Sequence, residues 1–143
     1  MSWSVKTFEE LTAREIYEIL KSRLEIFMKE QGIIYVDPDN VDYDSLHIFR
    51  MTGGRVDAYL RAYRADNDSI KIGRVLTLHH GQGIGTELMK FAIKEIPSRM
   101  KCKKIVMDAQ KQAVPFYERL GFTVVSEEYL EEGVVHVDMS LEV

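Results

Sequence analysis

Hydrophobic and polar positions alternate, then switch to helical spacing, then alternate again, and this rhythm predicts most of the elements. Ser2 to Phe8 places Trp3, Val5 and Thr7 on one face, as a short strand does. Thr12-Ala13-Arg14-Glu15 then has the spacing of a capping box, in which hydroxyl and carboxylate satisfy the free amides of a helix start. Ile16, Ile19, Leu20, Leu24 and Phe27 follow at helical spacing, predicting a helix over 13–30 that buries this stripe and ends at Gly32. Two strands, His47 to Met51 and Val56 to Tyr63, are expected to turn at Gly53-Gly54, where a tight hairpin needs positive φ. A further strand, Ile70 to Leu78, runs into a glycine-rich loop at 81–86. The helix after it extends from Gly83 to about Ile96, with Pro97 as its stop. Lys104 to Ala109 reads as a strand, Gln112 to Leu120 as a short helix closed by Gly121, and Phe122–Val125 and Val134–Leu141 as strands around a Glu-rich turn. The order β-α-β-β-β-α-β-α-β-β predicts an α/β fold with a mixed sheet in one domain spanning 1–143.

Composition narrows the function. The net charge of -4 argues against nucleic acid as a partner, because phosphate binding needs a basic face. The chain shows no apolar run near the ~20 residues that span a bilayer and no signal-peptide core, so a cytoplasmic location without membrane association is expected. Cys102 is the only cysteine and excludes an intrachain disulfide; beside Lys101, Lys103 and Lys104 it has no base to activate it. No histidine–cysteine spacing resembles a metal site. Asp37, Asp39, Asp42 and Asp44 do not make a calcium loop, since Asp42 stands at the sixth position and Ile48 at the twelfth. These aspartates read as a solvated loop with capped turns, with an acidic lip that attracts an amine as the alternative.

The loop His80-Gly81-Gln82-Gly83-Ile84-Gly85-Thr86 carries the strongest chemical signal. Helix starts offer unpaired amides and a partial positive charge, and glycines let an anion approach the backbone closely. A dinucleotide fingerprint would place glycine where Thr86 stands, and a Walker loop would end in Gly-Lys-Ser/Thr, which is absent.

The strand–loop–helix setting, with Gly83 and Gly85, resembles the acyl-CoA signature of the GNAT superfamily of N-acetyltransferases. His80 stands where that family usually has arginine or glutamine. Pro115-Phe116-Tyr117-Glu118-Arg119-Leu120-Gly121-Phe122 resembles the family's late helix and following strand. The ElaA-type subgroup is similar over nearly the whole length, through Ile26-Phe27-Met28-Lys29-Glu30-Gln31, Ile72-Gly73-Arg74-Val75, Asp108-Ala109-Gln110 and Glu132-Gly133-Val134-Val135-His136. The resemblance implies a mostly antiparallel sheet flanked by helices, with acetyl-CoA as acetyl donor and no metal. It implies backbone contacts from Val75, Leu76 and Thr77 to pantetheine, with an amide near Leu76 polarising the thioester. Gln82, Gly83, Ile84, Gly85 and Thr86 would hold the pyrophosphate, and Gln110 joins the cofactor-binding set. Tyr117 matches the tyrosine that protonates the coenzyme A thiolate, as a phenol with a reference pKa of about 10 can. Candidates for the base are Glu30, His47, His79 and His136. Arg74, inside an apolar strand, is expected in a structural ion pair. The expected acceptor is a primary amine on a small molecule or peptide, acetylated in a ternary complex. A non-catalytic acyl-CoA-sensing module is the alternative, and a homodimer is compatible with the resemblance.

Overall fold

The computed structural model describes residues 3–143. It contains one eight-stranded mixed sheet and three α-helices. The strands are β1 (Ser4–Thr7), β2 (Leu46–Thr52), β3 (Arg55–Arg64), β4 (Ser69–Thr77), β5 (Lys104–Gln110), β6 (Thr123–Val124), β7 (Tyr129–Glu131) and β8 (Val134–Glu142). Their order is β1-β2-β3-β4-β5-β8-β6, with β7 also on β8, and only β4 and β5 run parallel. The expected first strand forms from Ser4, while Ser2 lies outside the described residues.

Side-chain alternation divides the sheet into two faces. Ile48, Leu60, Ala62, Ile70, Ile72, Met107, Ala109 and Val137 pack under α2 (Ile84–Arg99) and α3 (Val114–Arg119). Phe49, Tyr59 and Leu76 turn the other way and pack with Ile19 of α1 (Ala13–Arg23). The capping box forms as expected, with Glu15 N–H donating to Thr12 Oγ1 (3.1 Å) and Thr12 N–H to Glu15 (2.9 Å).

Three expectations are corrected. The helix predicted over 13–30 is α-helical only to Arg23; Leu24–Glu30 is π-helical. Its wider turns bury Ile26 with Phe27 and expose Leu24, which the α-period placed in the core. Gly32, at φ +70, does end it, with Ile33 N–H reaching back to Phe27 O (2.8 Å). Pro97 does not stop α2, which runs on to Arg99. In the final turn the proline removes one amide donor, while Ile96 is fully buried and Met100 N–H bonds to its carbonyl (2.7 Å). The Glu-rich turn proves to be the β7–β8 hairpin, with Glu132 (φ +50) and Gly133 (φ +75) at its tip.

The aspartate loop is also not a solvated one. Asp37 is buried, sits 2.9 Å from Arg23 Nε without hydrogen-bond alignment, and accepts from Arg74 Nε (3.2 Å) and the Tyr35 hydroxyl. Asp39 takes a two-pronged contact from Arg61 (2.7 and 2.8 Å), and Asp42 accepts from Arg23 (2.8 Å) and Arg61 (3.0 Å). Three aspartates thus neutralise Arg23, Arg61 and Arg74, and only Asp44 of the predicted four stays outside. Sequence spacing could not show this, because the arginines come from α1, β3 and β4. An arginine buried without its acid leaves an uncompensated charge, so Asp37→Ala should cost about 3–5 kcal/mol of unfolding free energy. Urea denaturation checks this, and a loss below 1 kcal/mol would contradict the network's structural role.

Candidate active site

The site begins with an irregularity in β4. Tyr59 pairs with Leu76 and Arg61 with Gly73, so β4 spends one more residue than β3 over this stretch. The extra residue is accommodated at Arg74, whose φ of +53 lies in the left-handed region. That conformation costs a side-chain-bearing residue about 1–3 kcal/mol. Asp37 and Asp39 hold the guanidinium in place, and it lies 5.0 Å from the centre of the Tyr35 ring. The ion pair expected for Arg74 is therefore present.

Beyond this bulge β4 leaves β5. Their parallel pairing covers Ser69–Ile72 against Lys104–Met107 and then ceases. A cleft of ≈ 660 Å³ opens there, lined by Val75 and Arg74 of β4, Asp108 and Gln110 of β5, and Tyr117 and His136. Leu78 N–H donates to Asp57 O on β3 (2.8 Å). By alternation Leu76 also turns its backbone groups to β3, while Val75 and Thr77 present theirs to the edge that β5 has vacated.

The glycine loop follows β4 and packs beside its end. Gly81 and Gly83 have φ of +76 and +75, and Gly83 is the N-cap of α2 with no side-chain cap. Space is open around both glycines, so the first amides of a sixteen-residue helix remain available to an anion. A Cβ on Gly85 would lie 3.5 Å from the Phe116 ring and 3.9 Å from Thr77, which places loop, β4 end and α3 together. Ile84 is buried in the core and Gln82 is exposed.

Two candidate residues line the cleft from opposite faces. Tyr117 belongs to the core under α2 and α3, and burial alone pushes its phenol up to about 12. His136 precedes Val137, which packs in that same core, so its ring points to the other face. His136 is buried, at 7% exposure, and its Nδ1–H donates to Val134 O (2.7 Å). A carbonyl can only accept, so neutral His136 leaves Nε2 bare, 3.6 Å from Glu131 Oε2 and beyond hydrogen-bond reach.

The other base candidates lie elsewhere. Glu30 accepts from His80 Nε2 (2.7 Å) at the exposed junction of the π-helical turn and the glycine loop. This contact is invisible in the sequence, where the two residues lie fifty apart. His79 is not among the residues lining the cleft. His47 is buried apart from the cleft, its Nε2–H donating to Asp42 O (2.9 Å) and its Nδ1 accepting from the Tyr59 hydroxyl (2.6 Å). Both ring nitrogens are therefore occupied in the neutral form, which is a structural arrangement. Gln110 donates to Gln31 (3.0 Å) across the cleft mouth, a link that the sequence did not suggest.

Among the described residues, no group of three or more histidine, cysteine or acidic side chains could hold a metal, and no helix is long and apolar enough to cross a membrane. Comparison with known proteins defines the class. Residues 42–143 match the family described as the Acetyltransferase (GNAT) domain, and the chain belongs to that family of acyltransferases. Within it the chain is of the ElaA type. It is 30% identical to Protein ElaA of Escherichia coli strain K12 over 149 residues, covering 100% of this chain and 97% of that protein. A UPF0039 protein of Schizosaccharomyces pombe is 33% identical over 141 residues, covering 96% of this chain and 94% of that one. The crystal structure of an acyl-CoA N-acyltransferase from Pseudomonas aeruginosa superposes with a TM-score of 0.91 at 30% identity, covering 99% of each chain. An aminoglycoside 6'-N-acetyltransferase complexed with coenzyme A shares the fold alone, with a TM-score of 0.75 at 13% identity.

The buried imidazole carries a pH signature. Burial lowers the pKa of His47, and the charges of Arg23 and Arg61 push it the same way. The unfolded chain takes up this proton near 6.5, whereas the folded protein keeps the ring neutral to lower pH. The unfolded state therefore binds more protons just below that value, and stability falls as pH drops through the window. Between about pH 7 and pH 5 the wild type should lose stability relative to His47→Gln, measured by urea denaturation. Parallel stability curves would exclude a buried neutral His47.

Proposed function

We propose that the protein is an N-acetyltransferase that moves acetyl from acetyl-CoA to a primary amine by direct transfer in a ternary complex. The observation that carries this reading is a cleft between two diverging strands, lined by Tyr117 and His136, with an uncapped glycine-rich helix start packed beside the end of β4. The donor side fits a diphosphate. Amides of Gly83, Ile84, Gly85 and Thr86 supply hydrogen bonds with the helix dipole behind them, and Gln82 flanks the loop. Val75 and Thr77 would pair with pantetheine as a strand would, and their amides, rather than that of Leu76, face the thioester carbonyl. Leu76 instead holds β4 to β3. Gln110, already bonded to Gln31, stands at the end of β5 where it can reach the pantetheine arm.

Three proton and charge requirements remain, and two side chains meet two of them. The ammonium must lose a proton before its nitrogen can attack, and the bare Nε2 of His136 can accept it, directly or through water. As the carbon–sulfur bond breaks, the thiolate needs a proton, and a phenol with its pKa pushed up to about 12 holds one throughout the neutral range. The developing oxyanion falls to the backbone amides of the vacated edge. Glu30 does not face the cleft; its bond to His80 ties the π-helical turn to the donor loop, so we assign it a positioning role.

Tyr117→Phe should lower kcat by about a hundredfold while leaving coenzyme A affinity within about threefold. His136→Gln should reduce turnover to a similar extent, and Gly83→Val should weaken coenzyme A binding itself. Thiol release from acetyl-CoA against a panel of amines, with calorimetric titration of coenzyme A, checks all three. Full turnover by Tyr117→Phe would overturn its assignment as the acid. Tight coenzyme A binding without transfer to any amine would favour a sensing module of the same fold.

A further inference from the structure

A general base has to present one nitrogen at a fixed place, and a histidine on a strand does not do so unaided. The second torsion of an imidazole is broad, so the plane of the ring is set by its neighbours rather than by an intrinsic preference. The neighbours of His136 come from both adjacent strands. Antiparallel register places Gln110 of β5 directly opposite it on one side and Tyr129 of β7 directly opposite on the other. The three side chains form a row on one face of the sheet. Gln110 is held by Gln31 and Gln112, so the question is what Tyr129 does.

Its ring stacks on the imidazole, with 6.1 Å between centroids and 23° between planes. Aromatic pairs attract at that separation. The phenol is itself anchored, because it donates to Asp138 Oδ1 (2.6 Å), two residues along β8 from His136 and on the same face. The Asp138 backbone is pinned in turn, its N–H donating to Ser126 Oγ (2.8 Å) and its carbonyl accepting from Val125 N–H (2.8 Å). Val134 O meanwhile selects the tautomer that leaves Nε2 without a hydrogen, and Glu131 Oε2 is the carboxylate beside that nitrogen, at 3.6 Å. Tyr129 is not among the residues lining the cleft and belongs to neither hydrophobic core. A tyrosine that neither lines the cleft nor fills the core, yet lies on the ring of the proposed base, acts through that ring.

We infer that Tyr129 is a positioning residue, whose anchored ring clamps the His136 imidazole so that Nε2 stays aimed into the cleft. This rests on the transferase reading above, in which Nε2 takes the amine proton. Released from Tyr129, the ring can tilt in its broad torsional well, which loosens the bond to Val134 O and displaces Nε2. A displacement of about 1 Å is enough to slow a proton transfer severely. The loss falls on the chemical step. Coenzyme A binding is spared, because the backbone groups assigned to it lie on β4 and at the start of α2.

The test removes the ring in Tyr129→Leu and keeps it in Tyr129→Phe. With the amine of the panel that is acetylated fastest, kcat should fall about tenfold in Tyr129→Leu and recover to within about threefold of wild type in Tyr129→Phe, at unchanged KM for acetyl-CoA. Tyr129→Thr, a good strand former without a ring, should match Tyr129→Leu, so a folding defect peculiar to leucine does not decide the outcome. Nitrogen NMR of the histidine rings gives a readout that needs no turnover. The His136 signals, assigned by their loss in His136→Gln, should report one fixed Nδ1–H tautomer in the wild type and tautomer averaging in the two variants without a ring. Such loosening in a protein whose wild type acetylates no amine would uphold the clamp and sink the transferase reading. Wild-type kcat without the ring, a tautomer equally fixed without it, or a phenylalanine variant as slow as the leucine one would overturn the clamp and leave the transferase reading standing.

Discussion

An arginine occupies a backbone conformation in β4 that favours glycine, and the functional half of the molecule is organised around it. Arg74 at φ +53 absorbs the additional residue of the bulge and ends the β4–β5 ladder at Ile72 and Met107. Without that divergence the parallel pair would continue and there would be no cleft. The conformation is unfavourable in isolation, and it persists because Asp37 and Asp39 grip the side chain from a loop far away in sequence. Those aspartates are in turn fixed by Arg23 and Arg61. One charged network therefore anchors the loop at 37–42 and sustains the backbone strain that opens the site.

The same sheet then divides the chemistry between its two faces. Alternation sends Val137 into the core with Tyr117 and turns its neighbour His136 to the other side, so the proposed acid and base approach the gap from opposite directions. In the proposed reading the donor is held by backbone, through the uncapped start of α2 and the free edge of β4. In the proposed reading the acceptor instead meets side chains of the cleft, His136 of β8 among them. Gln110, at the end of β5, donates to Gln31.

What was legible in the sequence was local. The Thr12–Glu15 box, the turn at Gly53-Gly54 and the glycine loop each complete their physics within a few residues, and the structure contains them where the pattern placed them. The π-helical turn was not legible, because which residues pack inward after Arg23 depends on partners in β2 and β3. Nor was the fate of the aspartates, which as a string resemble any exposed acidic loop. Among the base candidates, residue type and position alone could not separate His47 from His136. The carbonyls that accept from their rings, Asp42 O and Val134 O, and the face each ring occupies make that distinction.

The β7–β8 hairpin has a consequence of its own. Among the described residues β7 pairs only with β8, and Glu131 and Glu132 near its tip are exposed and line the cleft without supporting the core. The glycine loop lies on other elements and does not depend on the hairpin's sequence. Substitutions at the tip can thus accumulate at little cost to folding or to the glycine loop, and a change at Glu132 alters the charge presented at the cleft. In evolutionary terms the hairpin tip is an interchangeable part, through which descendants of one scaffold can change the lining of the cleft while keeping a common glycine loop.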